Sequence, residues 1–195
     1  MKTSKQILMA LGSLIIFFSA QTVLSQNYSV NKNASSMKIE GTSNIHDWEI
    51  IAEDFKGNLN AEMKDGQLVD ISALNFTVVA ESLKSGKGGM DKNTYKALKT
   101  DQNKAITYQL NKVKKIDCTS KSKCIVSTSG YLKIAGTKKP IDMVFNAEIN
   151  GNHISLSGNQ TLQMTNFNVD PPTAMFGTIT TGDEVKINFQ ITFSK

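Results

Sequence analysis

Two histidines, His46 and His153, and two cysteines, Cys118 and Cys124, are the only side chains of their kinds in 195 residues, and they bound the chemistry on offer. A zinc site needs three or four ligands, and two distant histidines with scattered carboxylates are poor material for one. No GxSxG, HExxH or GxGxxG element occurs. Gly86-Lys87-Gly88-Gly89 is glycine-rich but lacks the GxxxxGK[ST] spacing of a phosphate loop, so it reads as a hinge or linker. The densest polar cluster is Thr42-Ser43-Asn44-Ile45-His46-Asp47-Trp48-Glu49. His46 beside Asp47 suggests a general base or a metal ligand. Neighbours on a strand point to opposite faces, however, so the two cannot readily share one inward site. The favoured reading is a turn between two strands, in which Asn44 and Asp47 bond to the backbone and His46 and Trp48 face one side. No catalytic residue, metal or cofactor is expected.

The cysteines are separated by Thr119, Ser120, Lys121, Ser122 and Lys123, all polar, with strand-like flanks. In an oxidising compartment this spacing suits a disulfide at the tip of a β-hairpin. A redox or metal pair fits less well, since the spacing is not CxxC and no histidine is near in sequence. The compartment follows from the N-terminus. Lys2 and Lys5 precede an apolar run from Ile7 to Ala20, broken by Gly12 and Ser13. The run is short of the roughly 20 residues that span a bilayer and fits the apolar core of a secretory signal. Val23 and Ser25 suit the −3 and −1 sites, so cleavage is expected between Ser25 and Gln26, with an uncleaved anchor as the alternative. Residues 1–25 are then the signal peptide and 26–195 one domain, periplasmic or secreted, with no transmembrane segment in the mature chain. Loss of Lys2 and Lys5 takes the formal charge from +5 to +3. Every cation is lysine. Without arginine, the usual donor to phosphate and guanine, nucleic acid is not an expected partner.

The elements that would position these groups are strands. Period-2 alternation runs through Phe55–Lys64, Ile141–Asn150 and Val185–Ser194, each with one apolar and one wet face. Further strands are expected around Met37–Ser43, His46–Glu53, Gln67–Val79, Ala105–Ile116, Cys124–Ala135 and His153–Met164. Lys64-Asp65-Gly66 and Asn150-Gly151-Asn152 look like hairpin tips, and Gly136 to Pro140 marks another break. Met90 to Thr100 reads as a short helix able to cap one end. Pro171 and Pro172 forbid a central strand in an irregular stretch that also carries Phe167, Met175 and Phe176. The inward alternation leaves two readings open, a packed core or a lined cavity. Met37, Met63, Met143, Met164, Phe55, Phe76, Phe145 and Phe189 would suit a flexible lipid chain.

Three stretches carry a family resemblance. Gly41-Thr42-Ser43-Asn44-Ile45-His46-Asp47-Trp48 looks like a first-hairpin motif. Gly130-Tyr131-Leu132-Lys133-Ile134-Ala135-Gly136-Thr137-Lys138-Lys139-Pro140-Ile141 matches G-x-L-x-I-x-G-x-x-K-P-I. Asp183-Glu184-Val185-Lys186-Ile187 resembles a closing D-x-V-x-I strand. Together with the helix at Met90–Lys99, they resemble the YceI-like family of exported bacterial proteins. The helix departs from better-known members, with Met90-Asp91-Lys92-Asn93 where they have Arg-Asp-x-His. The resemblance implies an all-β fold: a single antiparallel, lipocalin-like, eight-stranded barrel with one short capping helix. It also implies a non-catalytic protein whose lumen holds a polyisoprenoid or other long-chain amphiphile. On that reading the lumen is lined by Met37, Trp48, Phe55, Met63, Phe76, Tyr108, Phe145, Met164, Phe167, Phe176 and Phe189, with His46 polar at the mouth. Gly57, Ala61 and Ala147 would leave room for the ligand in a tall apolar tunnel. The partner is then a hydrophobic small molecule, and the oligomeric state stays open. The alternative is an envelope structural or surface-interaction barrel with a filled core. A lipid hydrolase is disfavoured by the shortage of catalytic groups.

Overall fold

The computed structural model describes residues 23–195, so the expected apolar signal core lies outside the described residues. Twelve strands and one α-helix follow in chain order. They are β1 (Leu24–Val30), β2 (Ser36–Ser43), β3 (Trp48–Ala52), β4 (Phe55–Lys64), β5 (Gln67–Val79), β6 (Leu83–Lys84), α1 (Gly88–Leu98), β7 (Ala105–Ser120), β8 (Lys123–Ile134), β9 (Thr137–Asn150), β10 (His153–Gln163), β11 (Thr173–Ala174) and β12 (Ile179–Ser194). Short 3-10 turns lie at Met164–Phe167 and Met175–Gly177. Alternation places the strands well. The expected break at Gly136–Pro140 shrinks to the two-residue turn Ala135-Gly136, and Pro140 sits inside β9 opposite Tyr131.

The sheet is not a closed eight-stranded barrel, and this corrects the sequence-based expectation. Its order is β1-β4-β5-β7-β8-β9-β10-β12-β2-β3-β6, with β11 added against β12. A ring of eight forms because β1 also meets β12, but only through Ser29↔Ser194 and Val30↔Phe193. Most of that edge of β12 pairs with β2 instead, from Gln190↔Ser36 to Val185↔Gly41. The strands β2, β3 and β6 therefore branch off the ring. Two further seams splay. Only Asn75–Val79 of β5 pairs with β7, and only His153–Ser157 of β10 pairs with β9. The physical reason is strand length. β12 has 16 residues, long enough to serve two neighbours in succession along one edge, and alternation reports which face is buried, not which strand lies beside it.

The two ends of the ring are filled differently. At one end Leu59, Ala61, Leu68, Ile71, Val126, Ala147, Ile154 and Phe193 are buried to within 2 % of complete exclusion. The hairpin of β7 and β8 is stapled there by Cys118–Cys124, which face one another in register. The opposite end is covered by α1, the 3-10 turn at Met164–Phe167 and the loop through Pro171 and Pro172.

Candidate functional site

Two glycines set the aromatic walls of the interior. A Cβ on Gly41 would lie 2.2 Å from the Trp48 ring, so only glycine lets the indole lie flat across the β2–β3 pair. The Trp48 indole N–H donates to the Thr42 carbonyl at 2.9 Å and fixes the ring. Gly130 does the same for Tyr108, whose ring would meet a Cβ at 2.6 Å. The Tyr108 hydroxyl lies 3.3 Å from Thr128 Oγ1. Burial pushes its pKa up, against the opposing pull of that hydrogen bond. These aromatic-on-glycine pairings stiffen positions where glycine alone would weaken a strand.

Above Trp48 the interior opens into a cavity of about 630 Å³. Strands supply Ile39, Ile50, Ile106, Ile134, Leu162, Val185 and Ile187, and the cover supplies Met90, Ala97, Leu98, Met164, Phe167 and Val169. A smaller cavity of about 120 Å³ lies deeper, among Met37, Phe76, Tyr108, Phe145 and Phe189. Ile106 and Ile187 line both, so the two cavities adjoin at these side chains. The mouth is polar: Ser43, His46, Lys87, Lys92, Asn93, Gln163 and Thr181 reach it, and among the described residues no carboxylate lines it.

The cover is tied down by side chains. Asp91 accepts hydrogen bonds from the Ser85 amide at 2.8 Å and the Ser85 hydroxyl at 2.6 Å, which hold its carboxyl below the usual range. The Tyr95 hydroxyl lies 2.9 Å from the Glu81 carbonyl and accepts from Lys84 Nζ at 2.7 Å. Asp183 accepts from the Thr165 hydroxyl at 2.6 Å and the Thr165 amide at 2.9 Å; these bonds likewise lower its pKa and pin the 3-10 turn that carries Met164. The turn at Asn44–Asp47 is held by Ser43, whose hydroxyl donates to the His46 carbonyl at 2.7 Å and accepts from the His46 amide at 3.2 Å. Asn44 does not close its own turn as expected. It reaches across the mouth, donating to the Thr178 carbonyl and accepting from the Thr180 amide.

The expected lumen residues fall into four groups. Trp48, Met164 and Phe167 line the large cavity, with His46 at its mouth. Met37, Phe76, Tyr108, Phe145 and Phe189 line the small one. Phe55 and Met63 are buried in the packed interior, and Phe176 lies wholly in solvent, so the structure moves that residue out of the lumen. Nor does either cavity extend to Gly57, Ala61 or Ala147 among the described residues. A Cβ on Gly57 would meet the Asn75 carbonyl at 2.5 Å, and Ala61 and Ala147 are 0 % and 1 % exposed in tight packing. The small residues do not mark vacancy; large neighbours already fill the space. Met90 and Ala97 lie in the helix expected over Met90–Thr100, but the sequence reading did not place them on a cavity. Their helical spacing with Asn93 and Thr94 was the available signal.

Among the described residues no cluster of three or more His, Cys, Asp or Glu could share a metal ion. A coiled antiparallel sheet around a helix-covered apolar cavity defines the class of lipocalin-like binding proteins. A family model described as the YceI-like domain matches residues 28–193, and the chain belongs to that family, a family of exported, non-catalytic binding proteins. Solved structures of similar fold include BcnA of Burkholderia cenocepacia (16% identity, 84% of this chain and 98% of that one, TM-score 0.63). A polyisoprenoid binding domain from Saccharophagus degradans, implicated in plant cell wall breakdown, shares 12% identity over 86% of this chain and 97% of its own (TM-score 0.65). The Campylobacter jejuni YceI protein shares 16% identity over 99% of both chains (TM-score 0.52). No curated protein sequence matches the chain.

Proposed function

We propose that the chain is exported, is cleaved between Ser25 and Gln26, and carries a polyisoprenoid or fatty-acyl amphiphile. The tail occupies the large cavity and the head sits at the mouth beside His46, Lys87 and Lys92. The observation that carries this reading is the 630 Å³ apolar cavity with a polar rim free of carboxylates. Its size bounds the cargo. A cavity of about 150 Å³ takes one benzene, or about 25 Å³ per carbon, so the large chamber holds about 25 carbons. Burial of the tail supplies the driving force at about 0.8 kcal/mol per CH₂. Lysine and histidine donors without a competing carboxylate favour a head group rich in acceptor oxygens. The description of the Saccharophagus degradans relative as a polyisoprenoid binding domain supports the same ligand class.

Mass spectrometry of an organic extract from the purified, exported protein tests the reading. The expected result is a stoichiometric amphiphile with a tail of roughly 15–25 carbons, as the volume argument requires. A clean extract, together with no uptake of added farnesol, geranylgeraniol or palmitate, rejects it.

A further inference from the structure

The segment beside the mouth departs from the rest of the surface in two ways at once. Met175, Phe176 and Gly177 hold three successive left-handed conformations, with φ of 50°, 56° and 88°. Bulky residues rarely adopt that region, and such departures cluster where they serve function. The turn also throws its two large apolar side chains outward: Met175 is 69 % exposed and Phe176 wholly so. A third apolar side chain, Ile45 at 57 % exposure, lies on the neighbouring loop. That loop is clamped to this one by Asn44, through its bonds to Thr178 at 2.9 Å and Thr180 at 3.0 Å. Both loops are walls of the cavity, for Ile45, Thr173, Ala174 and Ile179 line it while Met175 and Phe176 project beyond it.

We propose that this mouth is a membrane-docking surface: Ile45, Met175 and Phe176 insert into the interfacial layer of a phospholipid bilayer, and Lys87 and Lys92 meet its phosphates. The proposal rests on the amphiphile-carrier reading for its purpose, since a lipid leaving a bilayer must enter where the cavity opens. The occupant follows from the composition of the rim. Apolar tips flanked by lysines bind interfaces through buried apolar area plus attraction to anionic lipid. Lys87 and Lys92 reach the mouth with no carboxylate beside them in its lining. Asp183 is occupied by Thr165 and Asp91, between the two lysines in sequence, by Ser85; Asp47 and Asp170 are the exposed carboxylates on the adjoining loops. Their charge limits the electrostatic share, so the apolar tip dominates.

Asparagine tolerates the left-handed region, so the double change Met175→Asn and Phe176→Asn removes the apolar surface while allowing the turn to persist. Exported protein is floated with vesicles of phosphatidylcholine alone and with one-third phosphatidylglycerol. Any contribution of the N-terminal residues is common to both proteins and cancels in the comparison. The double variant should bind both vesicle types at least about tenfold more weakly, the loss of two buried apolar side chains. Lys87→Ser with Lys92→Ser should weaken binding only to the anionic vesicles, and only at low salt. Equal binding by wild type and the Met175/Phe176 variant, or no binding by wild type, overturns the proposal. Concentration-dependent dimers that the same variant dissolves, with no vesicle binding, would assign the tip to a second copy of the chain and overturn it as well. Lipid extraction is run in parallel: cargo without vesicle binding rejects docking alone, and vesicle binding without cargo rejects the carrier reading alone.

Discussion

The two ends of this molecule are built from the same alternating strands and reach opposite results. At the stapled end, small residues face large ones: Ala61 lies across from Ile71, and Ala147 across from Cys124 and Leu156. The interior there is closed to solvent. At the mouth end large aliphatic residues face one another across a gap, and separate pieces form the roof: a helix, a 3-10 turn and a proline loop. The difference lies in side chains and in where each seam opens. Near the staple β9 pairs with β10 and β1 ties β4 to β12, while β5 and β7 part there. Towards the mouth β9 loses β10, and side-chain bonds such as Asn168 to Thr137 at 3.0 Å stand in for the missing ladder. At the staple the opening between β5 and β7 is filled by the buried Leu68 and Ile71. At the mouth the opening between β9 and β10 is propped by a helix and leaves volume. Stability is expected to concentrate at one end and ligand capacity at the other.

Matched truncations sharpen that contrast most. Leu59→Ala removes a side chain that is 0 % exposed and surrounded on all sides, and should cost about 4 kcal/mol. Leu162→Ala, on the wall of the large cavity, loses fewer contacts and should cost about 2 kcal/mol, the low end of the same range. Urea denaturation of both variants measures the gap; equal losses would erase the distinction between the ends. Replacing both Cys118 and Cys124 by alanine should cost about 2 kcal/mol, the entropy of opening so small a loop. Lipid uptake should survive that change, because the staple is remote from the mouth.

Bulk inserted at the two ends should act in opposite ways. Ala147→Phe overpacks the filled end and should destabilise by about 1–3 kcal/mol. Ala97→Phe places the same ring in the large cavity, should leave the free energy of unfolding within about 0.5 kcal/mol of wild type, and should displace cargo. Thermal unfolding and extraction on the pair decide it. If Ala97→Phe is the more destabilising, the cavity is too small or too rigid to serve as a chamber.

How much of this was legible from the sequence depends on whether the information is local. The strand signals at Gln67–Val79 and His153–Met164 are local, and β5 and β10 fall within a residue of them, whereas β12 begins at Ile179, well before the alternation read from Val185. Gly41 and Gly130 were visible as motif residues, but their partners Trp48 and Tyr108 had to be brought across a strand pair before their role appeared. β1 was not anticipated. Its Gln26-Asn27-Tyr28-Ser29-Val30 has little apolar alternation, and its first residues, Leu24 and Ser25, fall within the segment read as signal. The branching of the sheet at β12 was beyond reach, since pairing is set by contacts distant in sequence. So was the filled end: an inward alanine reads as space until the neighbour that occupies the space is known.

The smallest expected effect tests whether the roof of the mouth is held by charge. Asp183 accepts two hydrogen bonds from Thr165, and its carboxyl is held below the ordinary range first by the hydroxyl bond and then by the amide bond. A lowered folded pKa means that the anionic form is favoured by the fold. The stabilisation is then fully present above the unfolded carboxylate range and is lost as pH falls through the folded value. Asp183→Asn removes that dependence. Wild type should therefore be slightly more stable than the variant at neutral pH, and the two should converge in acid. Because the site is exposed, the gap will be small, so cargo release is the more sensitive readout. Met164 lines the cavity next to Thr165, and a loosened turn should let lipid leave. Dissociation of a fluorescent fatty acid, followed against pH, should accelerate in acid for wild type. It should be fast and nearly flat with pH for Asp183→Asn. Asp91, which holds Ser85 on the helix side of the mouth, is the natural second site, and Asp91→Asn should behave alike. If both variants release lipid with the wild-type pH profile, the carboxylates do not hold the roof, and backbone pairing alone closes the cavity.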